Sequence, residues 1–345
     1  MSLQATIIKL LLKLPDGALR SLGGGAPVTI GGRTLDARYQ FLSHGAKKQP
    51  AMSSMTPEGA RAVMDAGVEL FAPPQPSGVS VEDIEIPLEG RSLRAKTYLP
   101  DNQDPRRPLL VYYHMGGGVI GTPETCHWFC ALLSKTLNAP VLNVDYRLAP
   151  EHPYPAANDD AVDSYLWALD QAADWGAPAR LAAVGGDSMG GYLSAYVCQE
   201  MKRRGEHQPV LQLLIYPAVD LNDDHPSMRL YADAYPLTTD TMEWFMGHFL
   251  PEGVDLASPA VSPMRSPDLS GLAPALIFTA GFDPLVDQGK AYAGALKDAG
   301  VESDYHCFSS LAHGYTMMSA VVPAAKDACV MMAERTAAVL ADMKL

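Results

Sequence analysis

Residues 183–192 read Ala183-Val184-Gly185-Gly186-Asp187-Ser188-Met189-Gly190-Gly191-Tyr192. An apolar run, Leu181 to Val184, enters this cluster of small residues and a helix-like run, Tyr192 to Met201, leaves it, so Ser188 falls on a sharp strand-to-helix turn. A serine there sits in strained backbone geometry, tolerable only if Gly186 and Gly190, two positions to either side, carry no Cβ. The turn lifts the hydroxyl clear of the sheet. A helix starting beside it also aims free N–H groups and a positive dipole end at any oxyanion forming there. Small residues cluster in many turns, so the rest of the chain has to support Ser188 as a nucleophile.

Working outward, the period of the apolar pattern gives the frame. Val79 to Pro87 and Leu93 to Leu99 alternate around Glu89-Gly90-Arg91, which predicts a half-exposed antiparallel hairpin at a sheet edge. Six short apolar runs follow: Leu109–Tyr113, Val141–Val144, Leu181–Val184, Leu211–Tyr216, Ala275–Ala280 and Tyr305–Phe308. Continuous runs of that length suit strands buried on both faces, and the helical segments between most of them imply right-handed crossovers. The expected class is α/β: a mostly parallel eight-stranded sheet with flanking helices, the α/β-hydrolase arrangement.

Two stretches fall outside this frame. Residues 1–78 carry helical patterning, with one amphipathic segment over Leu3–Leu14 and another through Leu70 opened by Thr56-Pro57-Glu58, with Thr56 as N-cap. Residues 218–268 exceed any crossover helix and hold a helical run, Thr239 to Leu250. Both are expected to form a helical cap, leaving 79–345 as the catalytic domain with the insertion at about 218–268.

A serine hydroxyl needs a base, and the base needs an orienting carboxylate, in the chain order Ser, Asp or Glu, His for this fold. Asp283 follows the strand ending Phe278-Thr279-Ala280-Gly281; its rival Asp287 stands where a helix, Gln288 to Ala299, begins and reads as an N-cap. His306 lies inside the last strand, and His225 and His248 lie inside the insertion. His313-Gly314 comes just after that strand, in a loop able to reach back over Ser188. The expected set is Ser188, Asp283 and His313.

Composition narrows the partners. Lys plus Arg number 26 against 39 Asp plus Glu, a formal charge of −13, which repels phosphate backbones and argues against nucleic acid. Five scattered cysteines do not read as a secreted disulfide framework. Cys126-His127 and Cys130 have ligand-like spacing, but no second cluster completes a zinc site, so no metal is expected. No apolar run nears the roughly 20 residues needed for a membrane span. The apolar N-terminal stretch is interrupted by Lys9 and Lys13, and a cytoplasmic location is expected.

The strand Val111-Tyr112-Tyr113 leads into His114-Met115-Gly116-Gly117-Gly118-Val119, a turn whose glycines let amides approach a substrate oxygen. It lacks the phosphate-loop and dinucleotide fingerprints. With His114 to Gly121, Asp145 to Ala156, Gly186 to Gly191, Asp283 to Asp287 and His313-Gly314 in view, the chain resembles the bacterial hormone-sensitive-lipase family (family IV) of α/β-hydrolase carboxylesterases. The resemblance covers residues about 110 to 315. It implies that Ser188, Asp283 and His313 are the triad, that amides of Gly116, Gly117 and Met189 form an oxyanion hole, and that there is no cofactor.

Two departures from the family pattern stand out. Met115 replaces the first glycine of the His-Gly-Gly-Gly motif with Gly118 at its aromatic position, and Met189 replaces the usual alanine after the nucleophile. Gly118 is therefore expected to leave space, in a bounded pocket drawing on Met115, Gly118, Tyr192, Phe282 and Met317. The expected partner is a small ester of short to medium acyl chain, roughly C4 to C8 by the methylene increment. A homodimer is left open. Two other readings compete: an amidase or serine peptidase on the same triad, and a non-catalytic ligand-binding relative, against which the presence of His313 argues.

Overall fold

The computed structural model describes residues 3–343. Its centre is an eight-stranded sheet: β1 Val79–Leu88, β2 Arg91–Pro100, β3 Leu109–Tyr113, β4 Val141–Val144, β5 Ala182–Asp187, β6 Gln212–Ile215, β7 Ala275–Phe282 and β8 Ser303–Ala312. The spatial order is β8-β7-β6-β5-β3-β4-β2-β1. Antiparallel pairing is confined to β1 with β2 and β2 with β4; every other neighbour in this sheet is parallel. The hairpin is pinned from Val79↔Pro100 to Leu88↔Arg91 around a turn at Gly90 with φ 73°.

Helices cover both faces, and the pleat divides the strand side chains between them. Val111 and Tyr113 of β3 join the core formed with α6 (Ala156–Gln171), α7 (Met189–Arg204) and α10 (Val286–Asp298). Leu110 and Tyr112 join the opposite core with α5 (His127–Leu137) and α11 (Pro323–Asp342). Because β3 and β5 are buried along their whole length, they read as continuous apolar or small-residue runs.

The N-terminal segment holds α1 Leu3–Leu11, α2 Asp16–Leu22, α3 Ala37–Ala46 and α4 Pro57–Phe71. The expected helix over Leu3–Leu14 stops three residues early, before Pro15, and α2 and α3 were not foreseen. Asp36 caps α3 by accepting from the Arg38 amide at 2.8 Å, and its own amide donates to the Ser310 carbonyl of β8 at 3.0 Å. Thr56 caps α4 through the Gly59 amide at 3.2 Å, with Pro57 at the first helical position. Between β6 and β7 come α8 Pro226–Leu230 and α9 Thr239–Phe249. Among the described residues, no helix is long and apolar enough to cross a membrane.

Candidate active site

Strand β5 ends at Asp187, α7 starts at Met189, and Ser188 between them has φ 55° and ψ −114°. That left-handed conformation is costly for a residue with a Cβ and persists only where its surroundings enforce it. The two flanking glycines show why. A Cβ on Gly190 would stand 1.8 Å from the Tyr113 carbonyl oxygen, and one on Gly186 would stand 2.3 Å from the Gly190 carbonyl carbon. Only bare backbones let β3, β5 and α7 meet this closely.

The ends of β7 and β8 bring the other two residues to Ser188. His313 Nε2 lies 2.8 Å from Ser188 Oγ, and His313 Nδ1 lies 2.7 Å from Asp283 Oδ2. Asp283 is fully buried and its other oxygen accepts from the Leu285 amide at 2.9 Å, which fixes the carboxylate plane. Asp287 is set apart: its Oδ2 accepts from the Ser227 amide at 3.0 Å, anchoring α8. It does not cap α10, whose N-cap is Leu285, because the helix begins earlier than the sequence suggested. His306 packs against Phe308 on β8, His225 pairs with Asp223, and His248 packs against Trp244, so none of them reaches Ser188.

The glycine turn sits beside the serine. Gly116 and Gly117 adopt φ 128° and 61°, and Met189, the first residue of α7, contributes an amide of the kind that has no partner within its helix. A second network, unread in the sequence, braces the elbow from behind. Asp187 is fully buried and accepts from Tyr216 Oη at 2.9 Å, Thr316 Oγ1 at 2.9 Å and Cys126 Sγ at 3.4 Å. Burial raises its carboxyl above the ordinary range, and those three donors pull the other way. The Tyr216 ring lies 4.6 Å from the His313 ring, tying strand β5 to the histidine loop. Cys126 and Cys130 are buried free thiols, while the intervening His127 bonds Tyr98 at 3.1 Å.

Above Ser188 opens a cavity of about 1230 Å³, walled by the N-terminal segment, by the segment between β6 and β7, and by the floor around Met115, Met189 and Met317. Three of the expected pocket residues are not part of it. Tyr192 is buried within α7 packing and accepts from Asn158 Nδ2 at 2.9 Å; Phe282 packs edge-on against Tyr231. Gly118 leaves no space at all: a Cβ there would meet the Phe249 ring of α9 at 2.6 Å. The lining face of α9, with Met242, Phe245, Met246 and Phe249, repeats at helical spacing and was legible as a stripe, but not the surface it would meet.

A parallel sheet flanked by helices, with a strained serine at a strand-to-helix turn and an aspartate and a histidine on the next strand ends, defines the α/β-hydrolase class of serine hydrolases. A family model described as the alpha/beta hydrolase fold matches residues 110–317, and the chain belongs to this family, in its hormone-sensitive-lipase-like branch. The carboxylic ester hydrolase LipN of Mycobacterium tuberculosis is 40% identical over 317 residues, 89% of this chain and 84% of that protein. The ethyl acetate hydrolase of Pseudomonas putida is 33% identical over 306 residues, covering 87% and 96%. Among solved structures, the ester-hydrolase EH1AB1 from the metagenome of Lake Arreo superposes with a TM-score of 0.83 at 34% identity, over 88% of this chain and 97% of that one.

Proposed function

We propose that this enzyme hydrolyses carboxylic esters through an acyl-enzyme on Ser188. The observation that carries the reading is the unbroken buried chain from Asp283 through His313 to Ser188 Oγ, with contacts of 2.7 and 2.8 Å. Relatives named as ester hydrolases support it. Asp283 holds the Nδ1 proton, which leaves Nε2 free to accept the Ser188 proton as Oγ attacks the ester carbonyl. The amides of Gly116, Gly117 and Met189 receive the oxyanion. His313 returns the proton to the leaving alkoxide, releasing the alcohol. Water then enters, gives a proton to His313 and attacks the acyl carbonyl, and His313 passes that proton to Ser188 Oγ as its bond to the acyl group breaks, so that ester plus water becomes acid plus alcohol and the enzyme is restored. No step calls on a metal or organic cofactor.

The N-terminal segment and residues 218–268 act as a two-part cap over this chemistry. They are joined where the Trp244 indole donates to the Met55 carbonyl at 3.2 Å. Incubation with an activated phosphonate ester tests the assignment: mass spectrometry should find a single adduct on Ser188 with full loss of esterase activity. Labelling elsewhere, with activity gone, refutes it. A matched amide should be cleaved far more slowly than its ester; the reverse preference would favour an amidase.

A further inference from the structure

The sequence suggested a bounded pocket with a ceiling near medium acyl length. The cavity has room beyond that length, its 1230 Å³ exceeding the roughly 300–1,000 Å³ typical of small-molecule sites. Its walls are apolar and adaptable: Met64 and Phe71 from α4, Met242 and Met246 from α9, Met189 and Met317 from the floor.

Acidic side chains outnumber basic ones around the same space. Asp220, Asp223, Asp233 and Glu243 line it, against Lys47 and the catalytic base His313. Asp220 is answered by Arg265 at 2.7 Å, and Asp223 by His225 and by Gln288 at 2.8 Å. Asp233 and Glu243 are exposed and form no ion pair among the described residues. The formal charge of −13 on the whole chain adds to the same field.

Resting on the ester-hydrolase reading, we propose that the cavity selects large uncharged esters and turns away esters that carry a carboxylate remote from the scissile bond. A long or branched apolar group gains from every buried methylene until the cavity is filled. A carboxylate on the same group has to shed its hydration into an apolar chamber while facing the unpaired Asp233 and Glu243. The same field speeds departure of the carboxylate product once the acyl-enzyme is hydrolysed.

The test uses para-nitrophenyl acetate, para-nitrophenyl octanoate and the mono-para-nitrophenyl ester of suberic acid, which has the octanoate length with a terminal carboxylate. The octanoate should exceed both others in kcat/KM, with a gap to the suberate ester of about tenfold or more at low salt that narrows at high salt. Asp233→Asn/Glu243→Gln should raise the suberate ester several-fold and leave acetate and octanoate unchanged. Val63→Trp, at a half-exposed lining position on α4, should lower octanoate several-fold and spare acetate. A charge-removed variant that gains nothing on the suberate ester, or a wild type that prefers acetate, overturns the proposal. Absence of hydrolysis of all three, acetate included, would overturn the ester-hydrolase reading itself and this inference with it.

Discussion

Arg61 on α4 donates from Nε to the carbonyl of Val119, 2.9 Å away, in the turn that carries Gly116 and Gly117. The same guanidinium reaches the Ala149 carbonyl at 2.9 Å and grips Glu151 with two bonds of 2.7 Å. One side chain of the N-terminal segment thus holds the loop whose amides are assigned to the oxyanion. Arg61→Ala should leave two carbonyls without a partner, cost roughly 1–3 kcal/mol of stability, and lower kcat about tenfold with little change in KM. Arg61→Lys should not restore the rate, because an ammonium cannot reproduce the fork. A lowered melting temperature with kcat unchanged would reduce Arg61 to a purely structural role.

Ser188→Ala and His313→Ala should each lower kcat by roughly 10⁵ to 10⁶ with the fold retained, because such residues act as a unit. Asp283→Asn should be milder yet severe, through loss of the correct imidazole tautomer. Asp287→Asn removes only the anchor of α8 and should keep most of the activity. Steady-state kinetics on the four variants, with circular dichroism as the control, decide the matter; near-normal turnover by Asp283→Asn would displace it as the acid.

Gly190→Ala places a methyl group 1.8 Å from the Tyr113 carbonyl, so α7 has to shift away from β3. A displacement of about 1 Å at the elbow should cost on the order of 10²-fold in kcat even in the fraction that folds. Wild-type turnover per folded molecule would show that the elbow tolerates a side chain there.

Tyr216→Phe deletes the hydroxyl that Asp187 and Thr316 share, at 2.9 and 2.6 Å, and leaves the ring beside His313. A stability loss of about 1–3 kcal/mol is expected, with a several-fold lower kcat as the histidine loop loosens. Denaturant midpoints and kinetics measure both, and no change in either would deny the brace any part in the site.

Stability should fall as pH drops below about 6.5, the ordinary histidine value. Burial holds the His114 imidazole below that value, offset in part by Asp145, and burial lowers His127 and His306 as well. In the window beneath the ordinary value the unfolded chain binds more protons than the folded one, so unfolding is favoured as pH is lowered. His114→Gln should flatten the slope of the denaturation midpoint between pH 7 and 5. An unaltered slope would exclude His114 as its source.

What was legible in the sequence followed short-range rules. The hairpin, the buried strand runs and the Thr56 cap show in local period and residue type, and Ser188, Asp283 and His313 show because strand ends mark them. What was missed depends on encounters between distant segments. Gly118 looked like open space because nothing near it in sequence announces Phe249, and Tyr192 looked like lining because Asn158, its partner, sits in another helix. The Asp187 brace joins residues from four separate stretches, each of which alone reads as ordinary core.

The segments that wall the cavity also bear on the order of events expected in folding. Arg33 in the N-terminal segment donates to the Gly281 carbonyl, 248 residues later, and Trp244 meets Met55 from 189 residues away. Contacts of such separation are entropically deferred until the intervening chain is already compact. The N-terminal segment is therefore expected to settle only after the sheet and α9 have formed, and the chamber to close late. A chain halted before α9 would hold Ser188 without a vessel around it.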